Sequence, residues 1–212
     1  MNKNHDAIAR DDNGIQNYET LQELGGHYFS VGDYAQAQKC YEKTAVLAPD
    51  EPAPYVGLGV VALQKNLLDD AEIAFRVACR LDPNCAKGYS GLAMVAQRKA
   101  EYKKAFDMYL KCLELDADNM AALLGLFQTS CQMGSFAAII HYLELYLNTH
   151  PHDSSVMFTL AALYVREGCF EQSRKILLDI LALNPGNKDA ANLLEEVDHN
   201  LVRAAQAGGQ VP

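Results

Sequence analysis

No run of 18 apolar residues occurs in this 212-residue chain, so no segment reads as a membrane-spanning helix, which needs about 20 of them. The opening stretch, Met1-Asn2-Lys3-Asn4-His5-Asp6, lacks the basic-then-apolar layout of a secretory signal, and the chain is expected to remain in the cytoplasm. Positive charge is scarce. Eighteen Lys and Arg stand against 27 Asp and Glu, a formal charge of −9, which argues against a nucleic-acid backbone or an anionic membrane as the main partner. The six cysteines form no CxxC pair, and Cys40, Cys79 and Cys112 read as small buried apolar residues, with Cys169 the most exposed thiol. No HExxH, GxSxG or phosphate-cradling Gly-rich loop is present, so neither an enzyme nor a bound cofactor is expected. The densest set of metal-ligating groups, His150-Pro151-His152-Asp153, lacks the fixed helical or strand spacing of a metal site, and an enzyme or metal-binding protein is only the remote alternative.

What the chain does have is a period. Windows of 34 residues starting at Tyr18, Pro52, Ala86, Met120 and Ser154 follow one another without insertion. One slot holds Leu21, Tyr55, Tyr89, Leu123 and Met157. Three residues on come Leu24-Gly25, Leu58-Gly59, Leu92-Ala93, Leu126-Phe127 and Leu160-Ala161. The second half of each window supplies Ala37, Ala71, Ala105, Ile139 and Ser173, followed four residues later by Tyr41, Phe75, Tyr109, Leu143 and Leu177. Pro49, Pro83, Pro151 and Pro185 close four of the windows, with Ala117 in the remaining place.

Within each window two stretches of about a dozen residues carry apolar positions at helical spacing around a short turn such as Ser30-Val31-Gly32-Asp33 or Cys131-Gln132-Met133-Gly134. This is the pattern of a helix hairpin, and a period of this length marks a repeat array. The prolines fall where one helix cannot continue and the next tolerates its first turn. The residues quoted resemble the tetratricopeptide repeat family, whose signature is an aromatic, Leu-Gly, Tyr, then Ala, Phe and Pro over 34 residues. The resemblance implies an all-α, right-handed superhelical solenoid of five helix hairpins plus a C-terminal capping helix. The expected organisation is a polar, partly disordered segment over 1–17, five repeats over 18–51, 52–85, 86–119, 120–153 and 154–187, a capping helix over 188–204 and a disordered tail over 205–212. Phe127 and Ile139 depart from the small residues usual at their slots, which predicts looser or wider packing in the fourth repeat.

Charge is unevenly spread. The first window has six acids against two bases, the third five against six, and the fourth only Glu144 and Asp153. The charge-free stretch from Met120 to Met133 reads as a helix either covered on both sides or exposing an apolar face.

At about 100° per residue, the signature residues of each first helix gather on one side. By the resemblance, the opposite side lines a concave groove that binds an extended peptide or a partner helix. Val56, Val60, Leu63, Gln64, Lys87, Met94, Gln97, Arg98, Leu124, Gln128, Phe158, Val165 and Arg166 are the expected groove residues. Gly57, Gly91 and Gly125 recur on that side at a helix-propensity cost of about 1 kcal/mol each relative to Ala, which points to close approach by a ligand or by a neighbouring helix. A clamp for an acidic C-terminal tail needs several cationic or amide donors, but Gln22, Gly26, Gly57, Lys87 and Gly91 stand at the matching positions and only Lys87 fits. The expected function is a protein-interaction scaffold or adaptor binding an apolar peptide or amphipathic helix, with self-association left open. The alternative is a chaperone for a hydrophobic client, since Tyr55-Val56-Gly57-Leu58-Gly59 and the acidic exterior also resemble small tetratricopeptide chaperones of type III secretion.

Overall fold

In a computed structural model the described residues, 12–208, are all α. They divide into two units, to either side of Leu115 and Asp116. The first contains α1 (Asp12–Ser30), α2 (Tyr34–Leu47), α3 (Pro52–Gln64), α4 (Leu68–Leu81), α5 (Ala86–Arg98) and α6 (Tyr102–Leu115). The second contains α7 (Met120–Met133), α8 (Ala137–Thr149), α9 (Ser154–Arg166), α10 (Phe170–Leu183) and α11 (Lys188–Gly208). Odd and even helices pair as five hairpins, and α11 follows as a final helix packed on α10 and α9.

Two boundaries differ from the sequence expectation. Helix α1 begins at Asp12, within the segment expected to be irregular, and α11 runs to Gly208, past the expected end of the cap at 204. The extension of α11 follows from Ala204, Ala205, Gln206 and Ala207, all good helix formers ahead of the glycines. The rest of the expected disorder, over 1–11 and 209–212, lies outside the described residues. The fourth turn also shifts: Cys131, Gln132 and Met133 belong to α7, and Gly134 ends it.

Each hairpin turns on one residue in the left-handed region: Gly32, Asn66, Ala100, Gly134 and Gly168, with φ of 82°, 59°, 58°, 67° and 75°. They recur every 34 residues. At each, the following amide donates back into the last turn of the helix, as Asp33 N to Tyr28 O at 2.9 Å, Leu67 N to Ala62 O at 2.9 Å and Cys169 N to Tyr164 O at 2.8 Å. That bond satisfies carbonyls the helix end would otherwise leave open. Glycine enters this region without the Cβ clash that Ala100 carries.

Within a hairpin, close approach depends on small residues. Ala37, Ala71, Ala105 and Ser173 are completely buried, and Ser173 Oγ donates to Ala161 O at 2.9 Å across its hairpin. Ile139 takes that slot in α8 and Phe127 stands on α7, and these two helices pack more sparsely than the other hairpins. Helix α11 buries Ala190 and Val197 against Leu177 and Ile180 while Glu195 and Glu196 face solvent, and Arg174 Nε holds Asp198 Oδ1 at 2.7 Å. An apolar stripe inward and acids outward is what the exposed end of a stacked array needs.

Candidate partner-binding face

Two of the three recurring glycines, Gly57 and Gly91, are accounted for by aromatic rings. A Cβ on Gly57 would lie 2.7 Å from the Tyr41 ring, and one on Gly25 would meet the same ring at 2.7 Å. Phe75 is held likewise, 2.7 Å from a Cβ on Gly59 and 2.3 Å from one on Gly91. Each ring, carried by the second helix of a hairpin, thus wedges between the first helix of its own hairpin and the first helix of the next. The glycines are the floor and ceiling of the slot, so Gly57 and Gly91 serve packing, and ligand access is not their role. The ring edge and aliphatic neighbours Val61, Leu63 and Val95 form the core of the first unit.

That wedge narrows the face expected to bind a partner. Leu63, expected to line the groove, is 1% exposed and sits in the core around Phe75. Its carbonyl, at the end of α3, accepts from Arg98 Nη1 at 2.8 Å. Gln97 is half-buried and its Oε1 accepts from the Tyr109 hydroxyl at 2.7 Å, whose burial pushes that phenol up to about 12. Val56 and Val60 are half-buried against the core. Met94, 36% exposed, is one 34-residue step from Val60, with Lys87, Gln64 and Arg98 exposed beside them. The open line in the first unit is therefore Val60 and Met94 between cationic and amide ends.

In the second unit Leu124 is 58% exposed and Gln128 exposed, which gives α7 the bare apolar surface that its lack of charge suggests. Phe158 and Val165 are half-buried against the cluster of Met157, Leu177 and Ile180. The Arg166 guanidinium lies 4.4 Å over the Phe136 ring, a cation–π contact between α9 and the turn before α8. Both arginines assigned to the groove edge thus also tie hairpins together.

Lysines at the hairpin turns do the same work. Lys65 Nζ reaches Gln38 Oε1 at 2.7 Å, and one period later Lys99 Nζ reaches Glu72 at 2.8 Å and Asp69 at 2.7 Å. Lys104 and Arg76 complete the ring of cations around Glu72, at 3.0 and 2.7 Å, and their hydrogen bonds hold its carboxyl down to about 2. The residues of the 150–153 loop are also engaged. His150 stacks on Tyr146 with centroids 4.3 Å apart, and Asp153 caps α9 through the amides of Ser155 and Val156, both at 3.1 Å. Asp153 Oδ2 accepts from the Tyr146 hydroxyl at 3.3 Å. The exposed thiol is Cys131, in the last turn of α7, whereas Cys169 is half-buried as the N-cap of α10.

One feature escapes a reading based on first-helix faces. A cleft of 360 Å³ opens between α2, α3 and α4, lined by Tyr55, Leu58, Lys65, Leu67, Asp70 and Ile73 among others. Ile73 is 62% and Leu67 49% exposed. The sequence signal was available, since Ile73 lies on the charged side of α4, beside Asp69, Asp70 and Arg76.

Five hairpins closed by one repeated left-handed turn, the first two of them wedged by a ring, coincide with two matches to tetratricopeptide repeat models, over residues 23–85 and 86–119. Residues 23–119 thus belong to the tetratricopeptide repeat family. This repeat is a protein-interaction module. Among curated relatives, the small glutamine-rich tetratricopeptide repeat-containing protein 2 of Mycosarcoma maydis is 27% identical over 124 residues, 58% of this chain and 35% of that one. The chain spans about a third or less of the length of the first curated relatives it matches. Among solved structures, Pseudomonas aeruginosa pilF superposes with a TM-score of 0.68 at 22% identity, covering 94% of this chain and 92% of that one, a likeness of fold. The first tetratricopeptide domain of Spaghetti (RPAP3), solved bound to the HSP90 peptide SRMEEVD, gives 0.53 at 26% identity over 57% of this chain and 95% of that domain. In the present chain three of the five positions considered for a carboxylate clamp are otherwise engaged. Gln22 Oε1 accepts from Thr44 Oγ1 at 3.3 Å, Gly57 and Gly91 lie against rings, and Lys87 alone stands free as a cation among the five.

Proposed function

We propose that this tetratricopeptide repeat protein is a scaffold or adaptor whose first-helix faces hold an apolar peptide or amphipathic helix. The observation that supports this most directly is the pairing of Val60 and Met94, equivalent positions of adjacent repeats that reach solvent while their neighbours are consumed by the core. A partner side chain laid across them gains about 25 cal/mol for each Å² of apolar surface removed from water. Lys87 and Arg98 at the ends set its orientation, favouring acids that flank the apolar anchors. In the second unit Leu124, Gln128, Phe158, Val165 and Arg166 offer a separate face of the same kind.

The test is affinity capture from the native source lysate with the wild-type protein and a Val60→Glu, Met94→Glu variant of unchanged helicity, read by mass spectrometry. A partner kept by the wild type and lost by the variant supports the reading. Identical capture by both refutes it. The exposed Ile73 and Leu67 at the cleft between α2, α3 and α4 favour a second reading, binding on the other side of the first two hairpins. An Ile73→Glu variant in the same experiment separates the two surfaces.

A further inference from the structure

Cys79 and Cys85 flank the turn between α4 and α5, and their sulfurs converge on Gly88 in the first turn of α5. A Cβ on Gly88 would lie 2.6 Å from Cys79 Sγ and 3.4 Å from Cys85 Sγ, so the sulfurs can be no farther apart than those two distances together. Gly88 is buried, and its missing side chain makes the room that the Cys79 thiol occupies. Packing alone asks for one small residue here, and one period earlier Ala45 and Glu51 stand at the positions of Cys79 and Cys85.

 Later repeats carry Asn119, Asp153 and Asn187 at the Cys85 position, and each of these caps its helix through a side-chain oxygen. Cys85 occupies that N-cap slot without a side-chain cap bond, so the thiol replaces a stabilising group and is left free to react.

We propose that Cys79 and Cys85 form a reversible intramolecular disulfide across the α4–α5 turn, with a low-molecular-weight disulfide as oxidant. The Cys85 thiolate attacks one sulfur of the small disulfide and expels a thiolate, leaving a mixed disulfide on Cys85. Cys79 then loses its proton to solvent and attacks the Cys85 sulfur, expelling the second small thiolate. Two protein thiols are oxidised to one disulfide, and one small disulfide is reduced to two thiols. The order of attack follows from the environment: burial and the neighbouring Cys85 push the Cys79 thiol up to about 11, so it resolves rather than initiates.

The full-length protein is incubated with oxidised glutathione, its remaining thiols are alkylated, and trypsin digests are read by mass spectrometry. Trypsin cuts after Arg76, Arg80 and Lys87, so the disulfide joins two separate peptides, residues 77–80 and 81–87. The linked pair should appear at a yield independent of protein concentration and vanish with dithiothreitol. In Cys79→Ser the glutathione adduct on Cys85 should accumulate at least tenfold over wild type. The proposal is overturned if wild type keeps a stable glutathione adduct on Cys85 with Cys79 alkylated. It is equally overturned if both thiols are alkylated under conditions that modify the exposed Cys131.

Discussion

Replacing glycine by alanine inside a helix ordinarily stabilises it by about 1 kcal/mol, and Gly91 in the middle of α5 should do the opposite. Its added Cβ would lie 2.3, 2.5 and 2.5 Å from three atoms of the Phe75 ring. These are distances real Cβ atoms do not show, and Phe75 is completely buried and hemmed on its far side by Gly59, so the ring has nowhere to retreat. Overpacking of this kind costs about 1–3 kcal/mol, and the upper end applies where both walls are backbone. Net of the propensity gain, Gly91→Ala should lower the unfolding free energy by about 2 kcal/mol, read as a shift of the urea midpoint at unchanged slope. Phe75→Leu removes the ring at a cost of about 1–2 kcal/mol. Because it also removes the clash, the double variant should be more stable than the two single losses predict, with a coupling of at least about 1 kcal/mol. A Gly91→Ala protein as stable as wild type, or a double variant whose losses simply add, would refute the wedge.

Three further outcomes follow from separate features. Ala100→Gly should stabilise by about 1 kcal/mol in thermal unfolding, because Ala100 holds φ at 58° in the turn where three other hairpins use glycine. Glu72 is held down to about 2 by Lys99, Arg76 and Lys104, against an ordinary value of 4.5. A depressed carboxyl contributes stability above its unfolded value and loses it as pH falls through the folded one. Wild type should therefore lose about 1 kcal/mol more than Glu72→Gln between pH 5 and pH 2, a modest figure because the surrounding cations are screened by solvent. Leu63→Glu, at 1% exposure, should lose the helical signal at 25 °C or melt far below wild type, whereas Met94→Glu should keep its circular dichroism spectrum and melting temperature.

The fold was legible because its determinants are local and recur. Hairpin turns, small inter-helix residues and closing prolines each answer to a rule of φ, volume or hydrogen bonding that one window already displays, and the turn recurs in all five windows, the small residue and the proline in four each. Sparse packing of α7 on α8 could likewise be read from Phe127 and Ile139, because side-chain volume sets how closely two helices approach. The binding face was only half legible. Angular position on an ideal helix places Gly57, Gly91 and Leu63 away from the signature face, but the ring of the preceding hairpin covers each glycine, and Leu63 is buried in the core around Phe75 of its own hairpin. A helical wheel contains no neighbour, and here the neighbour decides. For the same reason, Arg98 and Arg166 looked like free rim charges until their partners, the Leu63 carbonyl and the Phe136 ring, were in place.

The wedge also explains a correlation of volumes that runs along the sequence. In the first two repeats a ring, Tyr41 or Phe75, meets two glycines. In the fourth repeat the ring slot holds Leu143, and the residues in the two glycine slots are Phe127 and Thr159. In the fifth, Leu177 faces Ala161 and Leu193 in the cluster that seats α11. Bulk removed from the second helix is returned on the first helices, as a close-packed seam requires. If this exchange is the rule, Leu143→Tyr alone should overpack the second unit and destabilise it by about 2 kcal/mol. Leu143→Tyr combined with Phe127→Gly and Thr159→Gly should then lose less than the sum of the three separate losses by at least about 2 kcal/mol, measured by urea denaturation of all four variants. Strict additivity would mean that the ring slot and the two glycine slots are independent, and that the glycines of the first two repeats are not there to receive a ring.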